Sequence, residues 1–201
     1  MARINRAAYD AIAERYAVRT GGGSTGLHDF FDEMRDGFAA LLPGRARVLD
    51  VGCGPGHVAA GFARAGLDAV GVDPSAGMLA VAARRGVRAV RADMTALPFA
   101  DACTDGLWCQ AALLHVPAAL TGQVLHGFGR VLRPGGLLGL VTSVGHGPQL
   151  EPVDYADGVR RWFIHRDPAE VLGAVTAAGF TVTSVERRTS RRDWIAVAAT
   201  H

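Results

Sequence analysis

From Ala46 onward, short apolar runs alternate with stretches that suit helices, and this alternation constrains the fold more than any single residue. Strand candidates are residues 46–51, 69–72, 87–91, 106–109, 137–142, 180–186 and 194–199, and helical candidates are 58–65, 76–84, 118–132 and 168–178. Strands separated by helices must run parallel and be covered on both faces, because each crossover lays a helix across the sheet. Pro134-Gly135-Gly136 reads as a sharp stop for the helix before it. The last two strand candidates have only a short arginine-rich turn between them, so they should pair antiparallel. The expectation is an α/β, doubly wound, seven-stranded sheet, mostly parallel with an antiparallel last strand.

Residues 1–42 read differently. Two helices, 5–18 and 28–42, flank the glycine-rich segment from Thr20 to Gly26. That joint reads either as a hinge for a lid helix or as a passive connector. The 201 residues fit one domain, with 1–42 as a helical cover and 43–201 as the core.

All 21 basic residues are arginines. Without lysine, a Walker A phosphate loop, a Schiff base and a pyridoxal phosphate anchor are excluded. The arginine- and alanine-rich composition points to a GC-rich bacterial coding sequence. A net charge of +2 does not by itself imply nucleic acid. The cluster Arg187, Arg188, Arg191 and Arg192 reads as a solvated hairpin turn, with a phosphate patch as the alternative. Cys53, Cys103 and Cys109 show no metal-ligand spacing, so no metal is expected. Their odd number, without a leader-like segment, suits a reducing cytoplasm. No apolar run approaches the ~18 residues that cross a bilayer.

Within this frame, the segment Asp50-Val-Gly-Cys-Gly-Pro-Gly-His-Val58 joins the first strand to the first core helix. Gly52, Gly54 and Gly56 form a turn that a ligand can approach closely, and the helix start offers free N–H groups. The pattern is G-x-G-x-G; a dinucleotide fingerprint would need a glycine where His57 stands. Asp73 ends the second strand, twenty-three residues after Asp50, near the spacing of a ribose-binding acid. A helix cap is its alternative reading, since Pro74 suits a first helical position, but the place at a strand's carboxyl end favours the ligand role. Asp93 follows the third strand as a third acid on successive strand ends.

On these landmarks the chain resembles the class I S-adenosylmethionine-dependent methyltransferases, in particular the small-molecule enzymes called type 11. The segments are VLDVGCGPG at 48–56, GVDPSAGML at 71–79, ADMTALPF at 92–99, DGLWCQAALLHVP at 105–117 and VLRPGG at 131–136. The resemblance implies a Rossmann-like core with S-adenosylmethionine as cofactor and S-adenosylhomocysteine as product. It implies that Asp50, Gly52, Cys53, Gly54 and Gly56 surround the methionine part of the cofactor. Asp73 would take the ribose, with Pro74 and Met78 near the adenine, while Asp93 and Met94 read the adenine edge. Gln110 and Ala111 would pass close to the sulfonium. The start Tyr9-Asp-x-x-Ala-x-x-Tyr16 makes both tyrosines candidate lid residues.

Methyl transfer needs a base only when the acceptor carries a proton that must leave. His115, just beyond the fourth strand, is the candidate catalytic base; a structural role is its alternative. His57, His146 and His165 read as weaker candidates. Trp162 and Phe163 either wall an acceptor pocket or lie in the core, and Arg160, Arg161 or Arg166 either pair with an anionic substrate or face solvent. The expected activity is methylation of an oxygen or nitrogen of a small molecule, in a bacterial biosynthetic setting. Alternatives are an RNA methyltransferase, an inactive cofactor-binding partner subunit and, more distantly, a nicotinamide oxidoreductase. Oligomeric state is left open.

Overall fold

The structure is a computed structural model that describes residues 1–21, 26–190 and 192–201. The middle of the glycine-rich joint and Arg191 lie outside the described residues, so the hinge-or-connector reading is untested there. Two helices come first, α1 (Ala2–Thr20) and α2 (Gly26–Ala40). Next come β1 (Arg47–Val51), α3 (His57–Arg64), β2 (Asp68–Asp73), α4 (Ala76–Arg84), β3 (Ala89–Arg91) and β4 (Thr104–Gln110). The second half holds α5 (Thr121–Val131), β5 (Leu132–Val144), β6 (Gly147–Val153), β7 (Ala156–His165), α6 (Pro168–Ala177), β8 (Thr181–Thr189) and β9 (Asp193–Thr200).

Seven strands form one sheet in the order β3-β2-β1-β4-β5-β9-β8. The first five run parallel; β9 slots antiparallel between β5 and β8. Both expectations for the sheet are met. The parallel strands are apolar because both their faces are buried: Val48, Leu49 and Val51 of β1 are at most 1% exposed. One core layer packs α5 and α6 on the sheet through Leu125, Phe128 and Val175; the other packs α2 and α3 through Phe38 and Phe62 against Trp108. Strand order reverses between β1 and β4, and a doubly wound sheet opens its crevice at such a point.

Two local expectations need correction. The helix before Pro134 ends earlier, at Val131, because Leu132 is drawn into the sheet opposite Thr104. Pro134-Gly135-Gly136 instead lies in an irregularity of β5, with Gly135 at φ 77°, before pairing resumes at Leu137. The segment after β5 folds into a second, two-stranded antiparallel sheet, β6-β7, where no strand was expected. Its alternation is hidden by Pro148, Pro152 and an arginine pair, residues that read as loop.

The hairpin packs on α1 through Ile12, Val153 and Ala156. On another side α1 lies on α4, where a Cβ on Gly77 would come within 2.8 Å of the Asp10 carbonyl oxygen. Asp10 Oδ1 accepts from Ser75 Oγ (2.6 Å) and from Gly77 N–H (2.9 Å). The first helix is thus clamped between core and hairpin, above the strand ends. Strands β8 and β9 on either side of the arginine-rich segment pair antiparallel, as expected, although Arg192 is bound bidentately by Glu151 rather than solvated.

Candidate functional site

The glycine turn folds back over β2: Gly52 N–H and Cys53 N–H both donate to Val72 O (2.7 and 3.1 Å). Gly52 sits at φ 78°, and a Cβ there would lie 2.2 Å from the Ala112 Cβ, so only glycine fits. This turn floors two adjoining cavities.

The larger, about 520 Å³, is floored by Gly52 and Gly54 and walled by Asp73, Pro74 and Met78. Asp93 and Met94 close one side, Gln110 and Ala111 another, and Tyr9, Tyr16 and His115 roof it. The second, about 430 Å³, shares Tyr16, Gly52, Gly54, Gln110 and Ala111 with the first and adds Asp50 and Cys53. Every expected site residue except Gly56 therefore borders one cavity or both. Gly56 is the cap of α3, where a Cβ would meet the Val87 side chain at 2.9 Å; its smallness serves packing.

Asp73 is both readings at once. Its carboxylate accepts from Gly54 N–H and Ser75 N–H (2.9 Å each), tying turn to helix start, yet it faces the cavity. The cap of α4 itself is Ser75, whose Oγ accepts from Met78 N–H. Burial raises Asp73 to about 6, against the lowering effect of the two backbone donors. Asp50 is 2% exposed and pushed up to about 7 by burial, offset in part by the Ala59 N–H. Its Oδ2 has no hydrogen-bond partner among the described residues. A buried orphan carboxylate oxygen beside a cavity is a seat for a positive group. Asp93 is exposed and accepts from Thr95 N–H (2.9 Å) and Thr95 Oγ1 (2.7 Å), which fixes the loop that borders the cavity. Ala111 holds φ 51°, a strained value for alanine, where the chain leaves β4.

Burial drives the Cys53 thiol far up, and its sulfur fills the space over Gly71; it is a packing residue and no nucleophile.

His115 ends a single 3-10 turn, Leu113–His115. Its Nδ1 lies 2.8 Å from Trp162 O, which can only accept, so Nδ1 carries the proton. Nε2 then accepts from the Tyr9 hydroxyl at 2.7 Å. Burial is the main reason its pKa falls to about 4, so the ring is neutral. Both nitrogens are engaged in holding α1 and β7 together. The turn is itself held by Arg166, buried and donating to Leu113 O, Val116 O, Ile164 O and Thr121 Oγ1.

The other candidates separate. His57 approaches Ala17 O at 3.2 Å and steadies the end of α1. His146 is exposed, and His165 bonds Ser143 Oγ through Nδ1 (2.9 Å). Phe163 is in the core; Trp162 contributes backbone, not a pocket wall. Arg160 is exposed and donates to Leu150 O.

Sequence reasoning missed Asn5, which is 4% exposed and borders the larger cavity. A signal existed: Asn5 and Tyr9 stand one helical turn apart, so they share a face.

Comparison with known proteins agrees with this geometry. A family profile described as "Methyltransferase domain" matches residues 48–136. An "uncharacterized methyltransferase" of Mycobacterium sp. (strain JLS) is 44% identical over 134 residues, 59% of this chain and 52% of that protein. The demethylmenaquinone methyltransferase of Renibacterium salmoninarum is 36% identical over 144 residues, 70% of this chain and 58% of that one. The chain spans about half the length of the curated relatives it matches. Among solved structures, the 1,6-didemethyltoxoflavin-N1-methyltransferase of Burkholderia thailandensis, with 1,6-didemethyltoxoflavin and S-adenosylhomocysteine bound, superposes with a TM-score of 0.66. It shares 24% identity, over 87% of this chain and 81% of that one, which is a likeness of fold.

Proposed function

We propose that the chain is a class I S-adenosylmethionine-dependent methyltransferase that moves a methyl group from that cofactor to an oxygen or nitrogen of a small molecule. The observation that carries this reading is the roof. The cavity over the strand ends is roofed by Tyr9 and Tyr16 of α1, with the β6-β7 hairpin packed on that helix, and this cover supports an acceptor of small-molecule size. The names of two relatives, acting on demethylmenaquinone and on 1,6-didemethyltoxoflavin, support the same substrate class.

The residues present suit the cofactor. Asp50 Oδ2 lacks a partner among the described residues and would receive the ammonium of the methionine part. Asp73 keeps a second lone pair on each oxygen after its two backbone bonds, enough to accept from both ribose hydroxyls. Met78, Pro74, Asp93 and Met94 would hold the adenine. When bound, the cofactor supplies a methyl already activated on sulfur. What remains for the protein is alignment and exclusion of water, worth up to roughly 7–11 kcal/mol. Gln110 and Ala111 shape the crevice at the reacting end, and Tyr9 and Tyr16 cover it.

His115 acts as a positioning residue. A ring titrating near 4 with both nitrogens occupied is a poor proton acceptor at neutral pH. A proton on the acceptor would leave to water, unless the acceptor atom is already deprotonated when it binds.

Incubation with methyl-labelled S-adenosylmethionine and either a metabolite extract or total tRNA tests the proposal. A labelled small product supports it. Label in tRNA alone, or cofactor binding with no transfer to any acceptor, refutes it in favour of an RNA enzyme or an inactive subunit.

A further inference from the structure

We propose that Arg161 is a specificity residue that holds an oxyanion, carboxylate or phosphate in type, on the methyl acceptor. The inference rests on the methyl-transfer reading above and narrows its substrate class.

The guanidinium lies in a nest of aromatic rings. Its Cζ is 5.2 Å from the Tyr9 ring centre, 6.0 Å from that of Tyr16 and 5.3 Å from that of Phe163. Nη1 donates to the Tyr9 hydroxyl at 3.2 Å, and the Tyr155 hydroxyl is a second neutral partner. Nε is buried without any partner among the described residues. No described carboxylate forms an ion pair with Arg161. Other arginines of this region are settled: Arg192 is paired with Glu151, and Arg166 donates to three carbonyls and a hydroxyl.

A half-buried guanidinium with only phenol partners and ring faces is an unbalanced positive charge. Ring faces and phenols offset part of that cost, but neither matches its fork of parallel donors. A carboxylate or phosphate group does, and arginine is the side chain whose geometry selects for it. Arg161 itself borders neither of the two cavities and meets the site through the tyrosines of the roof. Tyr9 and Tyr16, on which Arg161 lies, border the larger cavity, and Tyr16 also borders the second, next to Gln110 and Ala111. Arg161 is half-buried with its Nε out of solvent, so an anion would engage the outer guanidinium nitrogens.

The test uses the full chain loaded with S-adenosylhomocysteine, titrated calorimetrically with inorganic phosphate, with benzoate and with benzylamine. We expect at least one anion to bind, the amine not to bind, and Arg161→Gln to weaken the anion at least tenfold. Which anion binds separates the phosphate from the carboxylate form. Equal anion binding by wild type and Arg161→Gln, or no binding of either anion to the wild type, overturns the proposal. Should Arg161→Gln not fold, Arg161→Lys serves the same comparison, since it keeps the charge but loses the fork and should also weaken the anion. Titration of S-adenosylhomocysteine into the wild type tests the methyltransferase reading separately. Loss of that binding would sink the enzyme reading, while the anion titration judges Arg161.

Discussion

Asn5 and Trp162 pair as two residues of neighbouring strands would. The Asn5 carboxamide donates to Trp162 O at 2.9 Å and accepts from Trp162 N–H at 2.7 Å. One side chain of α1 thereby satisfies both backbone groups of a residue in β7. With Tyr9 on His115 and Asp10 on Ser75 and Gly77, it closes the roof on three sides.

Asn5→Leu leaves the Trp162 amide without its acceptor, while the carbonyl keeps His115 Nδ1, at a cost of about 1–3 kcal/mol if water does not reach the amide. Urea unfolding should show a loss in that range, with a raised KM for S-adenosylmethionine. Unchanged stability and KM would mean that α1 is not held by this pair.

His115→Asn should raise the cofactor KM at least tenfold and lower kcat less, because the roof loosens while no proton acceptor is lost. The wild-type profile of kcat/KM against pH should show no limb near 6.5 that disappears in this variant. A kcat falling more than a hundredfold at constant KM would restore the ring as general base.

Burial puts Asp50 at about 7 and Asp73 at about 6, against about 3.9 for an exposed aspartate. Between these values the folded chain keeps protons that the unfolded chain has released, so both residues make stability fall as pH rises from about 4 to 7. His115, lowered to about 4, acts in the opposite sense: the unfolded chain takes up its proton first, and stability is lost as pH drops from about 6.5. Asp50→Asn removes one descending contribution. The stability of the variant relative to wild type should climb by up to about 1.4 kcal/mol per pH unit between 4 and 7. Urea unfolding across that range decides, and a constant difference would contradict the buried, uncompensated carboxylate.

Arg166→Met removes four hydrogen bonds, two of them to the loop that carries His115 and two to β7 and the start of α5. We expect a loss of about 3 kcal/mol or more, since the abandoned carbonyls lie out of water. Circular dichroism during urea unfolding measures it.

Gly52→Ala should abolish S-adenosylhomocysteine binding seen by calorimetry. The added methyl meets Ala112 and strains a left-handed backbone. Retained affinity would show that the turn can yield.

The sheet and the floor of the site were legible because they rest on short-range rules. Continuous apolar strands, a glycine turn and acids at strand ends all lie within a few residues of what they specify. The roof was not, because its partners are remote. The Asn5–Trp162 contact joins positions 157 residues apart, and a buried asparagine between arginines of α1 looks like solvent-facing sequence until its partner is known. The hairpin was missed for a related reason: prolines and arginines suit a sheet of two strands with an open face, where they resemble loop. His115 could be placed at the crevice but not assigned a state, because the carbonyl and the hydroxyl that fix its tautomer arrive from two other segments.

The clamped first helix also has a history in synthesis. It emerges from the ribosome before any of the surfaces it rests on, and its β7 partner follows 157 residues later, roughly 10–30 s at ordinary elongation rates. For that interval the nascent chain carries α1 without its β7 partner, its inner side of three alanines and one isoleucine flanked by Asn5, Tyr9 and Tyr16. The order of manufacture therefore leaves the chamber open until its cover can be seated once.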